Sequence, residues 1–389
     1  MNEGDREVSR SSVPLARTFE SPRFRLLVAG VLLVFGLLIN LGQLSAMDMS
    51  DPGIGLDFAA YYHAAERVAD GLSPYGQLGS VGDSAYRRDY YLYPPPLAQV
   101  MQPLAAVPIE TAKLVWFGLG YMAAFASTWI ATGLGGARRS IERALWCLVA
   151  TLFFFPALSA IWNGNIGNLV SLCVTLVALG GAAAGVGSAL GAFLKVAPVT
   201  LMPAAFVASR ESRRSLLATV VVVGGVAFVL APGAWLDYPA VLTDVMSLPS
   251  HAEQNLALTF VASSAGWDDT MVALVRALLL TAGVACVGGS IWAARRPDGM
   301  PLAALLGTVA FLVIPGTMWF HYLAVALPFA AMAWPRARSA TRVILLAGCA
   351  VISVGPMTDE RVAVWVGAPI VLVAAAVTLW PAPTPTRDP

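Results

Sequence analysis

Charge is what this chain has least of. Only 12% of its 389 residues are Asp, Glu, Lys or Arg, while 58% are hydrophobic, and the mean hydropathy is +0.71. A soluble domain of this length needs more polar surface, so the composition points to a polytopic membrane protein. The formal net charge of +1 offers nucleic acid nothing to hold. Cysteine is scarce too. Cys147, Cys173, Cys286 and Cys349 all fall inside apolar runs, at spacings that suggest neither a disulfide framework nor a metal site. No Gly-x-x-x-x-Gly-Lys or Gly-x-Gly-x-x-Gly unit sits in a strand–helix context, which argues against direct use of ATP or a cytosolic nucleotide sugar.

What the chain does have is long apolar runs. Spans are predicted at 26–44, 112–133, 144–161, 166–184, 215–233, 271–294, 301–316, 320–335, 341–356 and 362–380, about ten transmembrane helices in an all-α fold. The first is too long for the core of a signal peptide, about 7–15 residues, and reads as a retained helix. Residues 1–25 form a polar N-terminal tail, 26–380 the membrane domain, and 381–389 a Pro-rich polar tail, both tails being cytoplasmic. The few cations cluster: Arg17, Arg23 and Arg25; Arg138, Arg139 and Arg143; Arg295 and Arg296; Arg336, Arg338 and Arg342. Alternating crossings put all of these on one side, which the positive-inside rule makes the cytoplasm.

One stretch breaks the parity. Arg210, Arg213 and Arg214 should be cytoplasmic, and so should a turn near Gly185 and Gly187, which leaves 188–208 no room for a single crossing. Lys195-Val-Ala-Pro198 interrupts this stretch. Two half-helices of roughly ten residues rise only ~15 Å, half a bilayer. A re-entrant hairpin with Lys195 near its tip is expected, since broken backbone at that depth needs protein or a wet cavity around it. The alternative is a full span whose lysine snorkels to the interface.

This topology leaves a large first outer loop, about 45–112, and a second, about 234–270. Asp57 stands in the first. A carboxylate at the membrane edge can take a proton from an attacking hydroxyl, but it can equally cap a helix starting at Phe58. Asp51, before Pro52, reads as a turn residue. His321, at the outer edge of a span, can meet a phosphate oxygen or share a proton, or simply sit at the interface as Trp319 does. His63 on the Asp57 helix and His251 in the second loop carry weaker signals. Asn163, Asn165 and Asn168 can bond sugar hydroxyls or cap the next helix. Arg87 and Arg88 are outer-face cations suited to phosphate, or to pairing with Asp83 or Asp89. Polar groups gathered in an outer loop favour an enzyme acting on a lipid-borne substrate over a transporter, which keeps its polar groups near the midplane and shows internal repeats. A lipid-linked sugar flippase remains the alternative of another class.

These residues fall into a recognisable order. Asp57-Phe-x-x-Tyr61, Gly71-x-x-Pro-Tyr75, Tyr93-Pro-Pro, Pro103-Leu-x-x-x-Pro108, Asn-Gly-Asn-x-Gly-Asn at 163–168, Leu194-Lys-x-x-Pro198, Glu253-Gln-Asn255 and Trp319-Phe-His-Tyr322 together resemble glycosyltransferase family 87. That family is the polyprenol-phosphate-dependent mannosyltransferase group of the GT-C superfamily. The resemblance implies a GT-C fold and inverting transfer, with an α-1,2 linkage, from a polyprenyl-phosphate sugar donor to a glycolipid or lipoglycan acceptor at the outer face of the plasma membrane. It implies Asp57 as general base and His321 as a contact to donor phosphate or sugar. Lys195 with Arg87 or Arg88 would supply the cation for the departing phosphate. Tyr61, Asn163, Asn165, Asn168 and Asn255 would meet sugar or acceptor. Gln254-Asn255-Leu256 departs from the Asn-Gln-Ser expected of the family. No cofactor is called for and no metal is expected, since no carboxylate pair is arranged to hold one. Nothing in the sequence reads the sugar ring, so arabinofuranose stands beside mannose.

Overall fold

The computed structural model describes residues 21–75, 91–247 and 255–381. Among the described residues there is no strand; the predicted spans lie on helical stretches, those at 144–161 and 166–184 each divided between two helices. A single membrane segment can satisfy its own backbone hydrogen bonds only as a helix. Leaving aside the short helices Pro95–Val100, Gln102–Ala105 and Leu258–Ser264, the helices in chain order are α1 (Pro22–Ala46), α2 (Leu56–Ala69), α3 (Ile109–Leu134), α4 (Ile141–Phe153), α5 (Phe155–Trp162), α6 (Gly167–Leu179), α7 (Gly181–Leu194) and α8 (Met202–Ala208). They continue with α9 (Arg210–Leu230), α10 (Pro232–Ser247), α11 (Asp269–Ala294), α12 (Met300–Val313), α13 (Ala326–Ala333) and α14 (Ser339–Thr358), ending in α15 (Glu360–Leu379). Their starts are written in the sequence: Ser140, Ser209 and Asp268 cap α4, α9 and α11 by accepting from Arg143 N, Ser212 N and Met271 N.

Five helices, α1, α3, α9, α11 and α15, are individually long and apolar enough to cross a bilayer. α4 and α5 make a sixth candidate, bent by 63° at Phe154, whose extended backbone separates the two. The other apolar helical stretches, Gly167–Leu179, Gly181–Leu194, Ala197–Ala208, Met300–Val313, Phe320–Ala333 and Ser339–Gly355, are shorter, 10–17 residues.

The largest departure from the sequence reading comes from two glycines. A continuous span was expected over 166–184, followed by a turn near Gly185 and Gly187. The chain turns earlier, at Gly180 and Gly181, both at positive φ (80° and 54°), which glycine adopts without steric cost. Gly185 and Gly187 lie inside α7. A Cβ on Gly185 would collide with Ser212 O, and one on Gly187 would stand 2.6 Å from Cys173 O. Both are contact glycines that let α7 lie close against α9 and α6.

The same contacts define a hairpin, which starts at Gly181 rather than at 188. α7 begins beside the first turn of α9, where Ser215 Oγ donates to Ala182 O (2.8 Å). It runs inward to Lys195, an extended residue. The chain then returns through a 3-10 turn (Ala197–Leu201) and α8 to Ser209. Both feet of the hairpin therefore stand at one end of the bundle. The 14 residues of α7 rise about 21 Å, short of the ~30 Å hydrocarbon core.

The two ends of the bundle differ in charge. α3 and α6 start side by side, with Trp116 Nε1 donating to Gly164 O (2.7 Å) and Gly120 facing Asn168, and they run away together. At their far end Arg25 pairs with Glu142 (2.7 Å) and Arg336 donates to Leu134 O (2.7 Å). There too Ala204, Ala293, Ala294 and Leu302 form a small core beneath Arg295 and Arg296. The arginine clusters gather at this end. The near end collects 55–57, 162–165, 255–257 and 316–322.

Candidate active site

The near end is assembled from five stretches of chain. Its foundation is the first loop. Asp51 closes an Asx turn, with Gly53 N donating to its Oδ1 (2.7 Å). Lys113, at the start of α3 and only 3% exposed, donates from Nζ to Met49 O (2.8 Å) and Asp51 O (3.2 Å). This lysine pins the loop from below, a role that sequence reading missed. The signal was there in a cation at the head of an apolar span. Gly55, at φ 69°, is the N-cap of α2 and packs on the Lys113 stem. α2 thus starts at Leu56, and Asp57 is not the cap of a helix from Phe58. It stands in the first turn, where a helix N-terminus favours an anion.

The Asn-Gly-Asn turn holds this helix end by its backbone. Gly55 N donates to Trp162 O (2.9 Å) and Asp57 N to Asn163 O (2.9 Å). Gly164, at φ 68°, lies so close that a Cβ would be 2.5 Å from Phe58 Cβ. Asn165 then reaches the carboxylate, its Nδ2 donating to Asp57 Oδ2 at 2.7 Å. The Asp57 carboxyl is half-buried. Burial holds its pKa above the ordinary carboxylate value, and the Asn165 hydrogen bond and the Lys195 charge offset part of that rise.

Lys195 comes to the site from the opposite end of the bundle, on the hairpin tip. Its Nζ lies 3.3 Å from the centroid of the Tyr322 ring, a cation–π contact, and its charge acts on Asp57 and on His321. His321 begins the second position of a 3-10 turn (Phe320–Val325), with its ring edge-on to Tyr322 at 5.1 Å. Among the described residues, its Nε2 is buried with no hydrogen-bond partner. Such a nitrogen is usually satisfied by something else that binds there. The main chain of His321 lies against Gly167 at the start of α6.

Aromatic residues close the sides. Tyr93 lies 3.5 Å from Asn165 Nδ2 through its hydroxyl, and its carbonyl accepts from Tyr75 OH (3.0 Å). Tyr61 is fully buried, edge-on to Tyr93 at 4.9 Å and to Trp116 at 5.9 Å. Tyr91 closes the head of a short helix (Pro95–Val100) by bonding Pro94 O and Ala98 N.

The structure thus brings Asp57, Asn165, Lys195, His321 and Tyr61 together, and adds Tyr93 and Tyr322. Other candidates are committed elsewhere. Asn163 Nδ2 donates to Ser159 O (2.9 Å) at the end of α5. Asn168, 2% exposed, donates to Ala157 O (3.0 Å). Asn255, 1% exposed, ties two loops, accepting from Ala257 N (3.0 Å) and Met318 N (2.9 Å) and donating to Gly316 O (3.2 Å). His63 pairs with Glu66 (2.8 Å) on α2. Arg87, Arg88 and His251 lie outside the described residues.

A family model for glycosyltransferase family 87 matches residues 91–315. Asn165 and Lys195 fall inside the matched stretch, and Asp57 and His321 outside it. No curated protein and no solved structure matches the chain.

Proposed function

The chain belongs to glycosyltransferase family 87, and from that premise we propose that it moves a mannosyl residue, with inversion, from a polyprenyl-phosphate donor to a hydroxyl of a glycolipid or lipoglycan. Membership makes it a membrane glycosyltransferase; the sugar, the lipid phosphate, an α-1,2 linkage and the outer face of the plasma membrane are our reading. One observation carries it: a half-buried carboxylate, an ammonium and an unpartnered imidazole nitrogen converge at one end of the bundle.

That set matches the chemistry. Asp57 takes the proton as the acceptor oxygen attacks the anomeric carbon. The new C–O bond forms as the bond from that carbon to the phosphate oxygen breaks, and its electron pair leaves with the lipid phosphate. Lys195 and His321 meet the phosphate charge as it develops, where a preformed donor counts most. Arg87 and Arg88 remain proposed partners for the same phosphate. Tyr61 packs beside these groups, against Tyr93 and Trp116. The arginine-rich end opposite the site argues for an extracytoplasmic site through the positive-inside rule.

The test is direct. Purified protein is incubated with polyprenyl-phosphate-mannose and an actinobacterial glycolipid extract, and the product is identified by mass spectrometry and linkage analysis. Acceptor-dependent mannosyl transfer is expected. Movement of labelled lipid between leaflets without any acceptor, and no transfer, would replace the enzyme by a transporter.

A further inference from the structure

Asn165 makes three contacts that together fix one carboxylate. Its Oδ1 accepts from Gly167 N (2.8 Å), which satisfies one of the free N–H groups at the head of α6. With the oxygen so committed, the NH2 must face the other way, and it donates to Asp57 Oδ2 (2.7 Å). Rotating the amide by half a turn would set N–H against N–H and oxygen against carboxylate, so both ends enforce one orientation. The third contact is the long approach of Nδ2 to the Tyr93 hydroxyl (3.5 Å). The backbone around it is equally constrained, since Trp162 O and Asn163 O hold Gly55 N and Asp57 N.

From this geometry we infer that Asn165 is the positioning residue of the general base: it holds Asp57 by Oδ2 and leaves Oδ1 to receive the proton of the acceptor hydroxyl. This rests on the reading of Asp57 as the base, and it gives Asn165 a different task from contact with sugar. A neutral amide suits the task. It donates to the ionised form of the carboxylate and adds no charge of its own, whereas Lys195 carries the cation that the phosphate needs. The groups facing Asp57 are Asn165 from the turn before α6, Lys195 from the hairpin tip, Tyr61 from α2 itself, Tyr93 ahead of the Pro95–Val100 helix and Tyr322 from the 3-10 turn.

Asn165→Asp separates this role from helix capping. Aspartate is as good a cap as asparagine, and its oxygen can still accept from Gly167 N. When ionised it cannot donate to Asp57 and sets a second carboxylate against the first, so the pair binds a proton more tightly than Asp57 alone. Asn165→Asp is expected to fold and bind donor normally. Its kcat should fall by about 10²-fold, as misplaced catalytic groups do. The acid limb of its kcat/KM profile should move up by about one pH unit, because a like charge disfavours the ionised base. Asn165→Ala should show the same direction of pH shift, and because it also loses the acceptor for Gly167 N it should lose more thermal stability than Asn165→Asp, which a melting curve separates from the kinetic effect. Asn165→Asp with wild-type kcat and an unmoved limb would reduce Asn165 to a helix cap and overturn the inference. If Asp57→Asn is inactive while the Asn165 profiles stay put, Asp57 stands as base and Asn165 does not position it. If Asp57→Asn is active, the reading of Asp57 fails first.

Discussion

At the scale of single residues, the site sets opposed demands on neighbouring groups. A base must be ionised to act, yet burial raises the pKa of Asp57. Activity should therefore climb with pH as Asp57 loses its proton, with the midpoint above the ordinary carboxylate value, and a kcat/KM profile in detergent checks it. Asp57→Asn should cost about 10²–10⁴-fold in rate while donor binding by titration stays near normal. Lys195 makes the reciprocal case. A lysine taken out of water needs something to meet its charge, and here it has the face of Tyr322 and the charge of Asp57. Lys195→Met keeps the length and removes the charge. It should raise the donor KM if the phosphate is met in the ground state, or lower kcat if it is met only as it departs. Wild-type donor kinetics would take Lys195 out of the reaction.

At the scale of elements, turns rather than helices decide the arrangement. Gly164 is the tightest point, at positive φ with Phe58 against it. Gly164→Ala must either strain the backbone by about 1–3 kcal/mol or push Phe58 and the head of α2 away from Trp162 and Asn163. A lowered melting temperature together with reduced kcat is expected, because the turn carries Asn165 as well. Gly185 tests a different joint. Gly185→Leu would force α7 off α9 and shift Lys195 at the far end of the same helix, so donor affinity should fall although the substitution lies at the opposite end of the bundle. A thermal-shift assay and donor titration separate this loss from unfolding.

For the whole molecule, orientation is the property to measure. In a background lacking Cys147, Cys173, Cys286 and Cys349, Leu72→Cys and Arg210→Cys place single thiols on exposed residues at the two ends. An impermeant thiol reagent on intact cells should label Leu72→Cys, and label Arg210→Cys only after permeabilisation. The opposite pattern would invert the molecule. Much of this architecture was legible from composition: the all-α class and the clustering of arginine follow from hydropathy and charge, and the break at Lys195-Val-Ala-Pro198 was visible too, although the hairpin it tips starts at Gly181 and not at 188. The register of its turns was not, because a glycine that bends the chain at Gly180 and one that merely permits close packing at Gly185 look alike until their neighbours are known. The site divided the same way. Asp57, Lys195 and His321 stood out as rare polar groups near apolar runs. The asparagines could not be told apart, since what distinguishes Asn165 from Asn163 and Asn168 is which carbonyl or carboxylate folding puts opposite each amide.

The bond between Asp57 and Asn165 joins residues 108 positions apart. A ribosome adds about 5–20 residues per second, so Asn165 is made on the order of 5–20 s after Asp57, and Lys195 and Tyr322 follow later still. Throughout that interval the first loop of the nascent chain carries its carboxylate without the amide that will orient it or the ammonium that will face it. On the proposed roles, assembly of the reactive centre is therefore tied to completion of the chain: one stalled before Tyr322 would hold Asp57 without the groups that face it, and is expected to be catalytically silent.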